Sequence, residues 1–363
     1  VRAHRLQTTL SVLGLLVMLL GVVVACSATT EEGPAVVPQG GQDSSEPPPG
    51  SEEGSAGIQG GQSEHGPVQP VETVDLETVR QQMREGGGFW TLLQATGAAG
   101  EQTYQVAAGE DFEAAFTIGN YEDTPAEMVF TCIVDFAQSP CAEGDTEIVR
   151  WLELGTYEDV TLEIQLPGLS EGLHDIILAM FFYPSEHSSD ELFRCDSRFM
   201  YNYDRISLYV GDSRATPNVN AIPFAEPDEM TPMGMHTYSV SKRGGEEWEE
   251  AWHLEEAAPG QVLEYYVTRN NPEAIAITYA FLGFLDFAQV PMSDEGMALY
   301  GEVESGKRAT IRAALNAPSE PGDHEFLVLV ADNPYLDQSE LPTSTYLLSA
   351  DTYSSDRVLI RVE

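Results

Sequence analysis

Ile133-Val134-Asp135-Phe136-Ala137-Gln138-Ser139-Pro140 returns later in the chain as Phe284-Leu285-Asp286-Phe287-Ala288-Gln289-Val290-Pro291. Laid against each other without a gap, residues 109–141 and 260–292 agree at 11 of 33 positions, where ordinary residue frequencies give about two by chance. The chain is a tandem repeat, and this stretch sets its register. Alternation places Phe130, Cys132, Val134 and Phe136 on one face of a strand, and Phe281, Gly283, Leu285 and Phe287 on the same face of its counterpart. The opposite face carries Thr131 and Ile133, or Leu282 and Phe284, so a central strand covered on both sides is expected.

Outward from this stretch the pattern stays that of strands. Short runs at 89–94, 103–106 and 111–118 precede it, the last ending in the turn signal Gly119-Asn120. Further runs at 147–153, 159–166, 173–182 and 204–210 have counterparts at 298–303, 309–315, 324–331 and 356–362. About seven short strands per copy, with turns between and almost no helix, predict an all-β chain of two tandem β-sandwiches. The expected boundaries are 88–211 and 234–363, joined by a Pro-rich linker at 212–233. Each copy holds a complete strand set and is expected to fold on its own. Ahead of them, Leu76, Val79 and Met83 fall at helical spacing before Gly86-Gly87-Gly88.

The charge balance is lopsided. Lys plus Arg number 17 against 59 Asp plus Glu, a net charge of −42, and Lys242 and Lys307 are the only lysines. The acids run along the whole chain after the first 25 residues, so they belong to folded surface as well as to linkers. Such a surface repels phosphate backbones and anionic headgroups, which excludes nucleic acid as a partner and favours cations and basic groups.

Arg2, His4 and Arg5 precede an apolar run from Leu10 to Val24, short for a spanning helix and of signal-peptide length. The run ends Val23-Val24-Ala25-Cys26, which resembles the bacterial lipobox. That resemblance implies a signal peptide over 1–25, lipidation of Cys26, and attachment to the extracytoplasmic face of a cell membrane. Two or three acyl chains hold a protein on a bilayer stably where one does not. From 26 to 87 the chain is dominated by Gly, Pro, Ser, Gln and Glu, including Pro47-Pro48-Pro49-Gly50. Most of it buries too little apolar surface to fold, and it reads as a tether with a reach of about 45 Å.

The repeat extends to Gly172-Leu173-His174-Asp175 against Gly322-Asp323-His324-Glu325, and to Asp204-Arg205-Ile206 against Asp356-Arg357-Val358. The order of an Asn-containing turn, a long central strand, a Gly-x-His strand start and a closing apolar strand is similar to bacterial immunoglobulin-like modules of the CARDB type. The resemblance implies a surface spacer or recognition domain, not an enzyme.

The repeated polar residues suggest structure before chemistry. His174 and His324 read as histidines that hydrogen-bond a turn where a strand begins. Asp135 and Asp286 with Arg205 and Arg357 form a repeated opposite-charge set that reads as a structural pair or as strand-end hydrogen bonds. His187 with Asp190 and Glu191, and His253 with Glu255 and Glu256, lack a recognised ligand spacing, so no metal or other cofactor is expected. Gly211-Asp212-Ser213 superficially matches an esterase nucleophile block but has no Asp-x-x-His partner, and no phosphate, zincin or calcium-loop motif occurs. Besides Cys26 the cysteines are Cys132, Cys141 and Cys195, all in the first copy. A Cys141–Cys195 disulfide pinning the loop 184–194, with Cys132 buried and reduced, is the expected pairing.

The function expected is surface interaction or structural spacing, with an unknown surface protein or glycan as partner. The alternatives are a lipoprotein that binds a small solute or glycan and, behind it, a secreted hydrolase whose paired carboxylates would leave no local signature. Recognition is expected in the loops that differ between copies, Tyr183 to Glu191 and Asn333 to Glu340.

Overall fold

The computed structural model describes residues 76–363, apart from 101, 143–146, 191–192, 195–200, 218–220, 224–227, 230–237, 243–251, 294–295 and 337–351. Cys26, the apolar run before it, the tether as far as residue 75, and Cys195 lie outside the described residues.

A helix, α1 (Leu76–Gly86), opens the described chain. Val79 and Met83 are half-buried, as their spacing predicts. Arg80 Nε donates to Asp159 Oδ2 at 2.6 Å, and Gly87, at φ 71°, ends the helix by donating its N–H to Met83 O at 2.7 Å.

The first sandwich comprises β1 (Phe89–Ala95), β2 (Ala98–Gly100), β3 (Thr103–Val106), β4 (Phe112–Asn120), β5 (Ala126–Val134), β6 (Ala137–Ser139), β7 (Arg150–Leu154), β8 (Glu158–Leu166), β9 (Gly172–Phe182) and β10 (Tyr201–Val210). A three-stranded sheet, β1-β4-β8, faces a larger sheet ordered β2-β3-β10-β9-β5-β6, with β7 also on β5. The second sandwich comprises β11 (Ala221–Pro223), β12 (Asp228–Glu229), β13 (Tyr238–Ser241), β14 (Leu254–Ala257), β15 (Val262–Asn271), β16 (Ile277–Leu285), β17 (Ala288–Val290), β18 (Ala298–Val303), β19 (Lys307–Asn316), β20 (Gly322–Asp332), β21 (Thr352–Ser354) and β22 (Val358–Val362). Its sheets run β12-β19-β15-β13 and β11-β18-β16-β20-β22-β14, with β17 on β16 and β21 on β20.

The copies share their pairing. β3 lies parallel to the closing strand β10 as β14 lies parallel to β22, and β1 flanks β4 as β13 flanks β15. The segment 212–233, read from its prolines as a linker, supplies β11 and β12 to both sheets of the second copy. A Pro at the end of an edge strand costs no ladder bond, which is why the composition hid these strands.

Each sandwich has its own core. Phe112, Phe116, Phe130, Leu178 and Leu208 fill the first, and Tyr265, Tyr279, Phe281, Val328 and Ile360 fill the second. Every residue of β9 is buried. Ile176, Leu178, Met180 and Phe182 face the core of the first sandwich, while Ile177, Ala179 and Phe181 face away from it into a third apolar cluster. That third cluster also holds Val129 and Ile133 of β5, and Leu282, Phe284, Leu327 and Leu329 of the second copy. The two larger sheets therefore pack on each other, and both sandwiches fall within one compact unit. Phe136 and Phe287 belong to this third cluster and not to the core face that alternation predicts, because each sits in a turn where the strand register ends.

The disulfide pairs Cys132 with Cys141, at a Cα separation of 5.4 Å, and not Cys141 with Cys195. The hairpin is the reason. Cys132 stands in register with Ser139 of β6, so the two-residue turn brings the chain back at once and sets Cys141, two residues on, beside Cys132. In the second copy Gly283 and Met292 stand at the matching positions. A Cβ on Gly283 would come within 2.9 Å of Met292 Sδ, and Tyr265 Oη donates to the same sulfur at 3.4 Å. A thioether against a bare backbone thus fills the volume that a covalent bridge fills in the first copy.

Replacing Gly283 and Met292 together by cysteine is expected to form a second disulfide, adding about 2 to 3 kcal/mol by loop closure. Thiol titration and non-reducing peptide mapping check it. The same map of the unmodified chain should yield a Cys132–Cys141 peptide.

Candidate functional site: the seam between the sandwiches

The repeated Asp-Phe forms the turn between β5 and β6 and again between β16 and β17. Both residues have positive φ in each copy, 49° and 68° at Asp135-Phe136 and 49° and 65° at Asp286-Phe287, as a type I′ hairpin requires. Glycine or asparagine usually fills such positions, and holding a phenylalanine there costs on the order of 1 kcal/mol. The surroundings offset that cost at both residues.

The aspartates are held by the strand start that the sequence marked with histidine. Asp135 Oδ2 accepts from His174 Nδ1 at 2.6 Å and Oδ1 from the Asp175 N–H at 3.1 Å, while Asp135 N–H donates to Asp175 O at 2.9 Å. Asp286 repeats the pattern with His324 at 2.7 Å and with the Glu325 N–H and carbonyl at 3.0 and 2.8 Å. The other ring nitrogen of each histidine donates to the preceding turn, at Ser170 O (2.8 Å) and Glu320 O (3.1 Å). Each imidazole faces an acceptor on both sides, which requires a proton on both nitrogens. Burial works against that charge, but the carboxylate and the carbonyl outweigh it and both histidines titrate above their ordinary range.

Both phenylalanines enter the seam. Phe136 packs on Tyr300 and Tyr335 of the second copy at ring separations of 5.6 and 5.5 Å. Phe287 packs on Phe181 and Trp151 of the first, at 5.3 and 6.4 Å. The glutamines two residues later exchange four hydrogen bonds. Gln138 N–H donates to Gln289 Oε1 at 2.7 Å and Gln289 N–H to Gln138 Oε1 at 2.8 Å. Gln138 Nε2 donates to Phe287 O at 2.9 Å, and Gln289 Nε2 to Phe136 O at 2.7 Å. Equivalent atoms trade places across the contact, the signature of a two-fold relation between the copies.

The repeated arginines cross the same seam. Arg205 pairs with Asp175 (Nη2 to Oδ2, 2.6 Å) and donates Nη1 to Asp332 O of the second copy at 2.5 Å. Arg357 donates to the Phe182 and Tyr183 carbonyls of the first, the latter at 3.1 Å. Burial lowers the Arg357 guanidinium to about 10, against the pull of nearby Glu325 and with the push of Arg194. Of the two readings of the Asp and Arg set, Asp135 and Asp286 make the strand-end hydrogen bonds, to His174 and His324 and to the N–H groups that follow them. Arg205 stands in register with Ile177 and reaches diagonally to Asp175, while Asp135 turns to His174 at the strand start.

Described residues of the loops that differ between copies bond across the seam, while Glu191 and 337–340 of those loops lie outside the described residues. Tyr335 N–H donates to Asp175 Oδ2 at 3.1 Å, and His187 Nδ1 and Arg194 Nη1 reach Glu325 at 3.1 and 2.5 Å. Asp175 and Glu325 are both buried, so each copy carries a buried acid capped by the loop of the other. His253 lies 3.5 Å from Asp356, and Glu255 accepts from Trp252 Nε1 and pairs with Lys242 at 3.0 Å. Among the described residues no three His, Cys, Asp or Glu side chains converge on a metal-sized site. Gly211 and Asp212 border a cavity of about 460 Å³ with Glu171, Gln105 and Ala107. Sequence reading singled out the repeated Asp, His and Arg residues but placed Phe136 and Phe287 on a core face and gave Gln138 and Gln289 no role, although their identity in both copies was the available signal.

No family model and no curated protein matches the chain. Among solved structures it is similar to the CARDB domain of a Pyrococcus furiosus protein in complex with di-metal ions, at 10% identity and TM-score 0.23 over 34% of this chain and 88% of that one. It is also similar to red sea bream transglutaminase, at 10% identity and TM-score 0.22 over 80% of this chain and 34% of that one. A Listeria innocua β-glucosidase follows at 14% identity and TM-score 0.21, over 36% and 17% of the two chains. At such TM-scores the likenesses carry no argument, and the fold rests on the strand pairing itself.

Two outcomes are expected. Arg205→Met, which leaves Asp175 buried without its counter-ion, should destabilise the unit by about 3 to 5 kcal/mol, and adding Asp175→Leu should recover most of it, as read by denaturant unfolding. Because the folded pKa of His174 and His324 is raised, their stabilisation is fully present below about pH 6.5 and is lost as pH rises through the folded values. The melting temperature should fall over that window, and the fall should flatten in a His174→Gln, His324→Gln chain.

Proposed function

We propose that the chain is a lipid-anchored, extracytoplasmic protein in which the two sandwiches act as one rigid body for contact or spacing at the end of a tether, without catalysis. The reciprocal seam carries this reading. Two modules on a flexible connection would sample many orientations, whereas a shared apolar layer edged by Gln138, Gln289, Arg205 and Arg357 favours one. Tyr335 and His187, from the loops that differ between copies, bond across that layer, which favours the outer faces and edges of the pair for partners. The acidic composition, −42 overall, favours partners that bring positive charge. The Cys26 resemblance and the Pro/Gly-rich stretch behind it supply the anchor and the reach.

Mass spectrometry of the membrane fraction should find an acylated Cys26, and Cys26→Ser should release the chain into the soluble fraction. In calorimetry the full chain should show one unfolding transition, and Gln138→Ala with Gln289→Ala should lower it or split it in two. Two transitions in the unaltered chain, or measurable hydrolase turnover, would count against a rigid non-catalytic pair.

A further inference from the structure

The two-fold relation allows each edge of one sandwich to be compared with the matching edge of the other. In the second copy, Ala280 and Phe281 of β16 stand opposite Tyr300 and Leu299 of β18. In the first, Val129 and Phe130 of β5 stand opposite Trp151 and Arg150 of β7. Trp151 and Tyr300 are therefore equivalent, and their contacts agree, since each packs on the turn phenylalanine of the other copy.

The outer sides of these strands differ. β11 lies parallel along Ala298, Leu299 and Tyr300, and Ala298 and Leu299 are buried. Among the described residues no strand lies on the outer side of β7. The edge is short, β7 having five residues, and carries Arg150 and Glu153 as its charged groups and no proline or lysine. It presents Trp151 at 60% exposure and Ile148 at 37%, beside the rim of the seam. Glu147 and Glu153 flank them, and Glu127 faces Glu153 across the ladder.

We propose that this edge is a docking slot for an extended segment of a partner protein, of alternating apolar and basic residues, which adds to β7 in the place that β11 takes beside β18. The filled counterpart shows that a parallel strand fits the geometry. The flanking carboxylates and the overall charge select basic residues in the guest. The same charge opposes a second copy of this chain, which would bring its own excess of acid to the edge. Main-chain hydrogen bonds would supply affinity, and Trp151 the apolar contact that fixes register. The inference rests on the reading of a contact protein and names the place where contact is made.

The test uses the full chain and a labelled ten-residue peptide of alternating valine and lysine. Saturable binding is expected, with new hydrogen-exchange protection across 148–152, and at least a tenfold loss of affinity in Trp151→Lys. Tyr353→Lys, at another exposed aromatic, should bind as the parent does. Trp151 also packs on Phe287, so far-ultraviolet circular dichroism checks that the variant is folded, and the protection pattern gives a readout that needs no substitution. Absence of saturable binding overturns the proposal. So does equal binding of a backbone N-methylated or a valine–glutamate peptide, insensitivity to Trp151→Lys, or self-association of the chain through 148–152. Envelope partners retained undiminished by the Trp151→Lys chain would remove this slot while leaving the rigid contact body in place.

Discussion

Two consecutive residues of positive φ, Asp followed by Phe, hold this structure together. A type I′ turn is the tightest way to reverse the long central strand, and its backbone points the second side chain out of the sandwich that made it. With phenylalanine in that place, each turn sets its ring against aromatic side chains of the other copy. The aspartate locks the turn to the next strand through histidine, and the glutamine two residues on meets its own counterpart. One tetrapeptide thus specifies a hairpin, a strand junction and an interface. Changing any of these residues disturbs all three levels at once.

Duplication let the two copies satisfy the same volume by different chemistry. Where the first has a disulfide, the second has a methionine sulfur over a glycine. Where the first has Ile118, Met128 and Phe182, the second has Arg269, Tyr279 and Asp332, with Arg269 Nη2 bonded to Asp332 Oδ2 at 2.7 Å and its guanidinium 5.0 Å from the Tyr279 ring centre. A buried ion pair replaces apolar packing at little net change in stability when its geometry is good. Here it also braces Asp332, whose carbonyl receives Arg205 from the first copy. Of the few basic residues in this acidic chain, Arg194, Arg205, Arg269 and Arg357 are buried, which leaves the exterior with little positive charge to balance its carboxylates.

The seam also sets what is left for function. Loops at the ends of immunoglobulin-like sandwiches are free to vary because they face water. In this protein Tyr335, His187 and Arg194, in or beside those loops, carry bonds to the buried acids Asp175 and Glu325 of the opposite copy. Sequence difference between repeats marks adaptation to a neighbour as readily as recognition of a partner. The surfaces that remain are the outer faces and edges, where the two copies differ among the described residues in that β11 lies beside β18 and no strand lies beside β7 on its outer side.

By itself the sequence determined the repeat, its all-β character and the strands that the two copies share from the central one onward, because alternation and turn residues are local and were written twice. It also located α1 and the histidines that tie each strand start to its turn. Only the tertiary structure decided that Phe136 turns away from its own core, that Cys132 and not Cys195 meets Cys141, that Arg205 and Arg357 cross to the other copy, and that 212–233 contributes strands. Each of these depends on which segments face one another after the hairpins close. Period-two patterning tells which side of a strand is apolar, but a strand apolar on both sides gives no sign of what covers the second. In this chain the covering is its own repeat.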